Sequence, residues 1–92
     1  MEIITTPAFL RAAKKLPDDK REEVDAAVEQ LSGAFGHPHL HQGLGLRQLR
    51  PRYFEVRAGL DLRVLFTLSQ GNLYLRAIGH HDHIRAWLKE NT

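Results

Sequence analysis

The sequence predicts a small α+β domain, with two N-terminal helices on one face of an antiparallel sheet and a short C-terminal helix. The periodicity of the apolar residues indicates this class. In the first third of the chain they recur every three to four positions, as in amphipathic helices, and from Tyr53 onward they alternate with polar residues, as in strands. Because no repeat or linker interrupts the 92 residues, we expect a single domain over residues 1–92.

The N-terminal part predicts one short strand and two helices. Residues 1–5 have a strand-like apolar centre, and Thr6 followed by Pro7 is typical of a helix N-terminus. Pro17 and the two aspartates after it predict the start of a second helix. The apolar stripe of that helix consists of Val24, Ala27, Val28 and Leu31. A loop rich in glycine and histidine is expected over residues 33–45.

The C-terminal part predicts three antiparallel strands and a last helix. The alternating segments are separated by a turn at Gly59 and by a hairpin at Gln70-Gly71-Asn72. Asp82 is the expected N-cap of a helix whose apolar face contains Ile84, Trp87 and Leu88. With both N-terminal helices on one side, the second face of the sheet is expected to be free. The alternation places on it Glu55, Arg57, Arg63, Arg76 and His80.

The charges divide the chain into two unequal parts. Residues 1–43 contain five Lys/Arg against seven Asp/Glu, whereas residues 44–92 contain eight against four. Seven of those eight cations are arginines, whose guanidinium forks suit phosphate better than ammonium groups do. This half of the chain predicts binding to a polyanion or to an acidic protein, although a solvated charged surface has the same composition.

Composition also limits the class of protein and the cellular compartment that we expect. The chain is 42% hydrophobic and 26% charged, which is ordinary for a globular protein. It has no cysteine, which excludes disulfides and fits a reducing compartment. No apolar run approaches the ~20 residues that span a bilayer. We therefore expect a cytoplasmic protein with no membrane association.

Four short segments of the second half form an ordered set. They are Leu49-Arg50 and the segments 53–59, 62–66 and 78–82, with the sequences YFEVRAG, LRVLF and IGHHD. The set resembles the RelE/ParE toxin superfamily. Its members have a leucine–basic pair, an arginine-bearing strand that ends in glycine, a YRVIY-like strand and a VGHR-like end of the last strand. The resemblance covers residues 45–88, and residues 1–44 agree in the order of elements.

The resemblance implies the toxin of a type II toxin–antitoxin system, partnered by an antitoxin. RelE-like members are metal-independent ribonucleases that cleave mRNA on the ribosome. ParE-like members inhibit gyrase and cut nothing, and a third possibility is a degenerate relative that only binds an antitoxin or RNA. The expected assembly is a monomer or homodimer that forms a hetero-oligomer with the antitoxin, and no cofactor is expected.

The resemblance also assigns residues. Arg63 matches the phosphate-binding arginine of the YRVIY-like strand, Arg57 matches basic residues of the preceding strand, and His81 stands where relatives have arginine or histidine. We therefore predict Arg63, Arg57 and His81 as catalytic residues, with His81 as the general acid. The predicted RNA-binding set is Arg47, Arg50, Arg76, His80 and Arg85.

The same residues allow other interpretations. Arg63 could instead be an outward arginine paired with Asp61 or Glu55, and His81 could merely precede the helix cap. RelE-like enzymes have a tyrosine near the position of Arg85, and no lysine occupies the predicted sheet face. The general base is therefore unassigned, with Glu55 and His80 as the available groups.

The alternating histidines His37, His39 and His41 could bind zinc. Pro38 and the nearby glycines favour a surface loop instead, and no carboxylate close in sequence orients the imidazoles. We predict no metal site.

Overall fold

The computed structural model describes residues 2–34 and 45–92. Its elements, in chain order, are β1 (Ile3–Thr5), α1 (Pro7–Lys14), α2 (Asp18–Ala34), β2 (Arg47–Arg50), β3 (Tyr53–Ala58), β4 (Leu62–Ser69), β5 (Asn72–Gly79) and α3 (His81–Asn91). The predicted α+β class is confirmed. The loop predicted over residues 33–45 begins too early, because residues 33 and 34 belong to α2. Its histidines His37, His39 and His41 lie outside the described residues.

The sheet has the strand order β1-β5-β4-β3-β2. Strands β2 to β5 form an antiparallel meander, as predicted for the last three, but β1 pairs with β5 in parallel, so the sheet is mixed. Strand β2 was not predicted, because its sequence Arg-Gln-Leu-Arg has one apolar residue and no alternation. Its conformation comes from pairing with β3 at the sheet edge.

Helices α1 and α2 cover the first face of the sheet. Phe9 of α1 and Val24 and Leu31 of α2 are buried against the apolar residues of the central strands. Those strand residues include Val56, Val64, Phe66, Leu73 and Leu75. The helical stripes and the strand alternation predicted this core, because both follow from the requirement that each element bury one apolar face.

The second face is only partly free, because α3 packs on it. Ile84 and Leu88 of α3 are buried with Leu65 of β4 and Ala77 of β5 in a second, smaller core. The apolar stripe of α3 was predicted correctly, but its position on the second face was not. His80 occupies the N-cap position and makes no side-chain capping hydrogen bond, so the predicted cap at Asp82 is wrong; Asp82 lies in the first turn.

A β-bulge in β5 changes which residues face each core. Leu65 pairs with Ala77, whereas the next residue, Phe66, pairs with Leu75, so Arg76 is the extra residue. Simple alternation predicted that Leu75 and Ala77 share a face. The bulge instead turns Ala77 towards α3, and Ile78 joins the core under α1 and α2.

Thr6 joins α1 to the sheet. Its Oγ1 accepts a hydrogen bond from the Phe9 amide at 3.3 Å and donates one to the Leu75 carbonyl at 2.7 Å.

Thr6→Ala should therefore lower the free energy of unfolding by about 1–2 kcal/mol, because it removes both the helix cap and the bond to β5. Thr6→Ser keeps the hydroxyl and should remain within about 0.5 kcal/mol of the parent chain. Urea unfolding of the three proteins measures this, and equal losses in both variants would contradict it.

Candidate phosphate-binding site

A buried carboxylate organises the cations of the second face. Glu55 of β3 is 1% exposed, and its Oε2 lies 2.8 Å from Nη1 of Arg63 and 3.6 Å from Nη2 of Arg47. Register explains the arrangement, since Arg47 of β2 is the cross-strand partner of Glu55, and Arg63 of β4 lies diagonally beside it. One anion thus holds two arginines from the neighbouring strands.

Arg57 adds a third cation next to this pair. It is exposed and lies directly opposite Arg63 in the pairing of β3 with β4. Within residues 2–34 and 45–92, no carboxylate forms an ion pair with Arg57. Like charges at opposed positions repel, and an anion between them relieves the repulsion. We call Arg47, Arg57 and Arg63, together with Glu55, the arginine cluster.

Gly45 gives the Arg57 side chain its space. A Cβ at position 45 would lie 2.8 Å from the Cβ of Arg57 and 3.1 Å from its Nε, closer than carbon side chains pack. Gly45 also has φ +70°, which favours glycine. Gly45 therefore shapes the site.

Arg63 has a structural partner as well as a predicted function. Of the two acids considered for it, Glu55 is the partner, whereas Asp61 pairs with Lys20 at 3.4 Å. The Arg63 side chain is nevertheless 27% exposed, and a guanidinium has five N–H donors, so one bond to Glu55 leaves others for a ligand. The cluster has three positive charges and one negative charge, which suits a phosphate group.

The three histidines at the start of α3 differ in their contacts. His80 contacts the Asp61 carbonyl through Nδ1 at 3.1 Å, which joins the start of α3 to the β3–β4 turn. His81 is half-buried at the first position of α3 and has no hydrogen bond within the described ranges. His83 lies over Gly79, where an added Cβ would come 2.5 Å from its Cδ2.

His83 lies on the same face of the sheet as Arg63. Gly79 is the cross-strand partner of Arg63, and the His83 ring covers Gly79 on that face. The sequence pattern did not predict a site role for His83. The available signal was the i, i+4 spacing of Gly79 and His83 across the start of the helix, where only a glycine leaves room for the ring.

The two groups considered as the general base differ in their access to a ligand. Glu55 is almost completely buried and holds Arg63 and Arg47, so its oxygens face cations and not solvent. His80 is exposed and contacts the Asp61 carbonyl through Nδ1, which leaves its Nε2 available. Three arginines around one buried carboxylate can bind and neutralise an anion.

None of the other predicted RNA-binding residues forms a described ion pair with Glu55. Arg50 ends β2, and Arg85 is exposed on α3. Arg76 lines a separate polar pocket of about 350 Å³ beside the C-terminal half of α3. The pocket is also lined by Arg52, Tyr53, Thr67, Trp87 and Asn91.

The described parts of the chain contain no group of three or more His, Cys, Asp or Glu side chains that could hold a metal ion. Among these residues there is also no helix both long and apolar enough to cross a membrane.

Because of its ion pair with Glu55, Arg63 should contribute more to the stability of the fold than Arg57 does. Arg63→Ala should lower the free energy of unfolding by about 2 kcal/mol, because the buried Glu55 loses its closer cation. Arg57→Ala removes an exposed arginine that has no described ion pair, and should change stability by about 0.5 kcal/mol or less. Urea unfolding of both variants tests this difference, and a loss from Arg57→Ala as large as that from Arg63→Ala would contradict it.

No family model and no curated protein matches the sequence, but solved structures match the fold. The RelE chain of a RelB–RelE antitoxin–toxin complex from Methanococcus jannaschii is 15% identical over 91% of this chain and 96% of its own, with a TM-score of 0.68. A YoeB/ParE toxin from Agrobacterium tumefaciens is 16% identical over 88% and 99%, with a TM-score of 0.67. YafQ from E. coli strain BL21(DE3) is 14% identical over 89% and 94%, with a TM-score of 0.65. The chain has the RelE-like toxin fold that its sequence motifs predicted.

Proposed function

We propose that this protein is the toxin of a type II toxin–antitoxin system and that it cleaves mRNA on the ribosome. The main support for this proposal is the arginine cluster on the second face of a RelE-like sheet. Several structural neighbours with this fold are toxins in complex with antitoxins, which supports an antitoxin as the partner of this chain. The cytoplasm, where translating ribosomes lie, is the proposed compartment.

The proposed chemistry needs no metal. A ribose 2′-hydroxyl attacks the adjacent phosphorus, the bond from phosphorus to the 5′-oxygen breaks, and a 2′,3′-cyclic phosphate is left. Negative charge develops on the phosphate oxygens, where Arg57 and Arg63 would stabilise it. The leaving 5′-oxygen takes a proton, which His81 or His83 at the start of α3 would donate.

Glu55 has a positioning role in this scheme. An unpaired arginine side chain samples many rotamers, whereas the 2.8 Å bond to Glu55 holds Arg63 in one orientation before RNA binds. Because Glu55 is buried, it can do this without presenting its own negative charge to the phosphate. The 2′-hydroxyl would then lose its proton to a base outside the cluster, such as solvent or a group of the ribosome.

A second function is favoured by one specific observation. The cluster contains no exposed general base, and none of its cations is a lysine, so a chain that binds its target without cutting RNA fits the same geometry. The corresponding candidate is a ParE-like inhibitor of gyrase. A degenerate binder of antitoxin or RNA is the third candidate, and it differs from the other two in causing no growth arrest.

Primer extension on mRNA from bacterial cells briefly induced for this protein tests the proposal. The wild type should arrest growth and produce discrete new 5′ ends. Arg57→Ala should reduce cleavage about a hundredfold, because one donor to the developing phosphate charge is lost. Arg57 is a better target than Arg63, whose removal also weakens folding.

Arg11→Ala is the matched control, because Arg11 is an exposed arginine on α1, on the opposite side of the sheet from the cluster. It should cleave like the wild type. Growth arrest without new 5′ ends would favour the gyrase inhibitor and overturn the nuclease proposal. No arrest at all would favour the degenerate binder.

A further inference from the structure

The polar pocket beside α3 is a second feature of the second face that the proposed chemistry does not use. It lies at the opposite end of β3 from Arg57, since Tyr53 lines it and begins the strand. The two positions are four residue steps apart along the strand, which is roughly 13 Å. A polymer that reaches the arginine cluster along this face could therefore also reach the pocket.

Two aromatic rings form part of the pocket wall. The ring centroids of Tyr53 and Trp87 are 6.4 Å apart, and the ring planes are tilted by 55°. Rings tilted in this way do not cover each other's faces, so aromatic surface remains for the pocket. Both side chains are only half-buried. Such a wall suits a flat, unsaturated ring.

Two arginines and an amide supply the polar part. Arg76 donates from Nε to Thr67 Oγ1 at 3.1 Å and lies 5.2 Å from the centre of the Tyr74 ring, so it is held in place while its terminal N–H groups remain for a ligand. Arg52 is exposed at the start of β3. Asn91 uses its amide nitrogen to bind the Trp87 carbonyl at 2.8 Å, which leaves its side-chain oxygen as an acceptor.

The positive charge of the pocket favours the binding of an anion. No carboxylate is among the described residues that line it, and neither Arg52 nor Arg76 forms an ion pair with one in the described ranges. A phosphate alone would use the arginines and not the rings, and an apolar ligand would use the rings and not the arginines. A nucleotide uses both.

We propose that this pocket binds an unpaired RNA nucleotide that neighbours the cleaved one. Its base lies against Tyr53 and Trp87, and its phosphate binds Arg52 and Arg76. The choice of RNA rests on the proposed function. The pocket then makes cleavage depend on the identity of the neighbouring base, because the Asn91 oxygen accepts a hydrogen bond only from a base edge that carries a donor.

Trp87 provides the test, because it is the only tryptophan in the sequence. Its fluorescence should be quenched saturably by a nucleoside monophosphate, which is too small to reach the arginine cluster and the pocket together. Arg76→Gln and Arg52→Gln should each weaken this binding about tenfold, and inorganic phosphate alone should cause no quenching. Each variant tests the proposal by itself. If circular dichroism shows a folding defect in one of them, the other still provides the test.

Arg11→Gln is the control and should keep the nucleotide affinity of the wild type. Arg57→Gln tells the pocket apart from the arginine cluster, because it should leave the saturable change in Trp87 emission in place. No saturable change in emission, or equal affinity in the wild type and both pocket variants, would overturn the proposal. Equal weakening by Arg57→Gln would also overturn it, since the nucleotide would then bind at the arginine cluster. The outcome does not depend on growth arrest or on new 5′ ends, so a failure of the pocket and a failure of the nuclease are distinguishable.

Discussion

The second face of this protein depends on one buried carboxylate. Glu55 lies on β3 between two strands that each bring an arginine to it, and a charge removed from water in this way must be compensated by its neighbours. The ion pair stabilises the fold at that point and also orients Arg63. The same contact therefore stabilises the fold and orients an arginine of the proposed phosphate site.

Helix α3 divides the second face into two regions. Its apolar residues form a small core with Leu65 and Ala77, and that core lies between the arginine cluster at one end and the aromatic pocket at the other. The N-terminal turn brings His83 over Gly79, and the later turns bring Trp87 towards Tyr53. One short helix thereby places an imidazole near one region and an indole ring near the other.

The arrangement favours recognition of phosphate over acid–base chemistry. Arginine donors and imidazoles are present, but the carboxylate nearest to them is buried and paired. A site of this kind can hold and neutralise an extended polyanion without metal. Under the proposed function, activation of the nucleophile would fall to an exposed histidine or to groups that come with the target.

The local pattern of the sequence determined the class of the fold. The stripe of Val24, Ala27 and Leu31 and the strand alternation depend on neighbouring residues alone, and the motif around Arg63 identified the fold. Only the tertiary structure decided the rest. Edge pairing makes β2 a strand, the bulge at Arg76 exchanges the faces of Ala77 and Ile78, and the docking of α3 places the His83 ring over Gly79. These outcomes depend on contacts between residues that are distant in the chain. The local periodicity of a sequence does not predict such contacts.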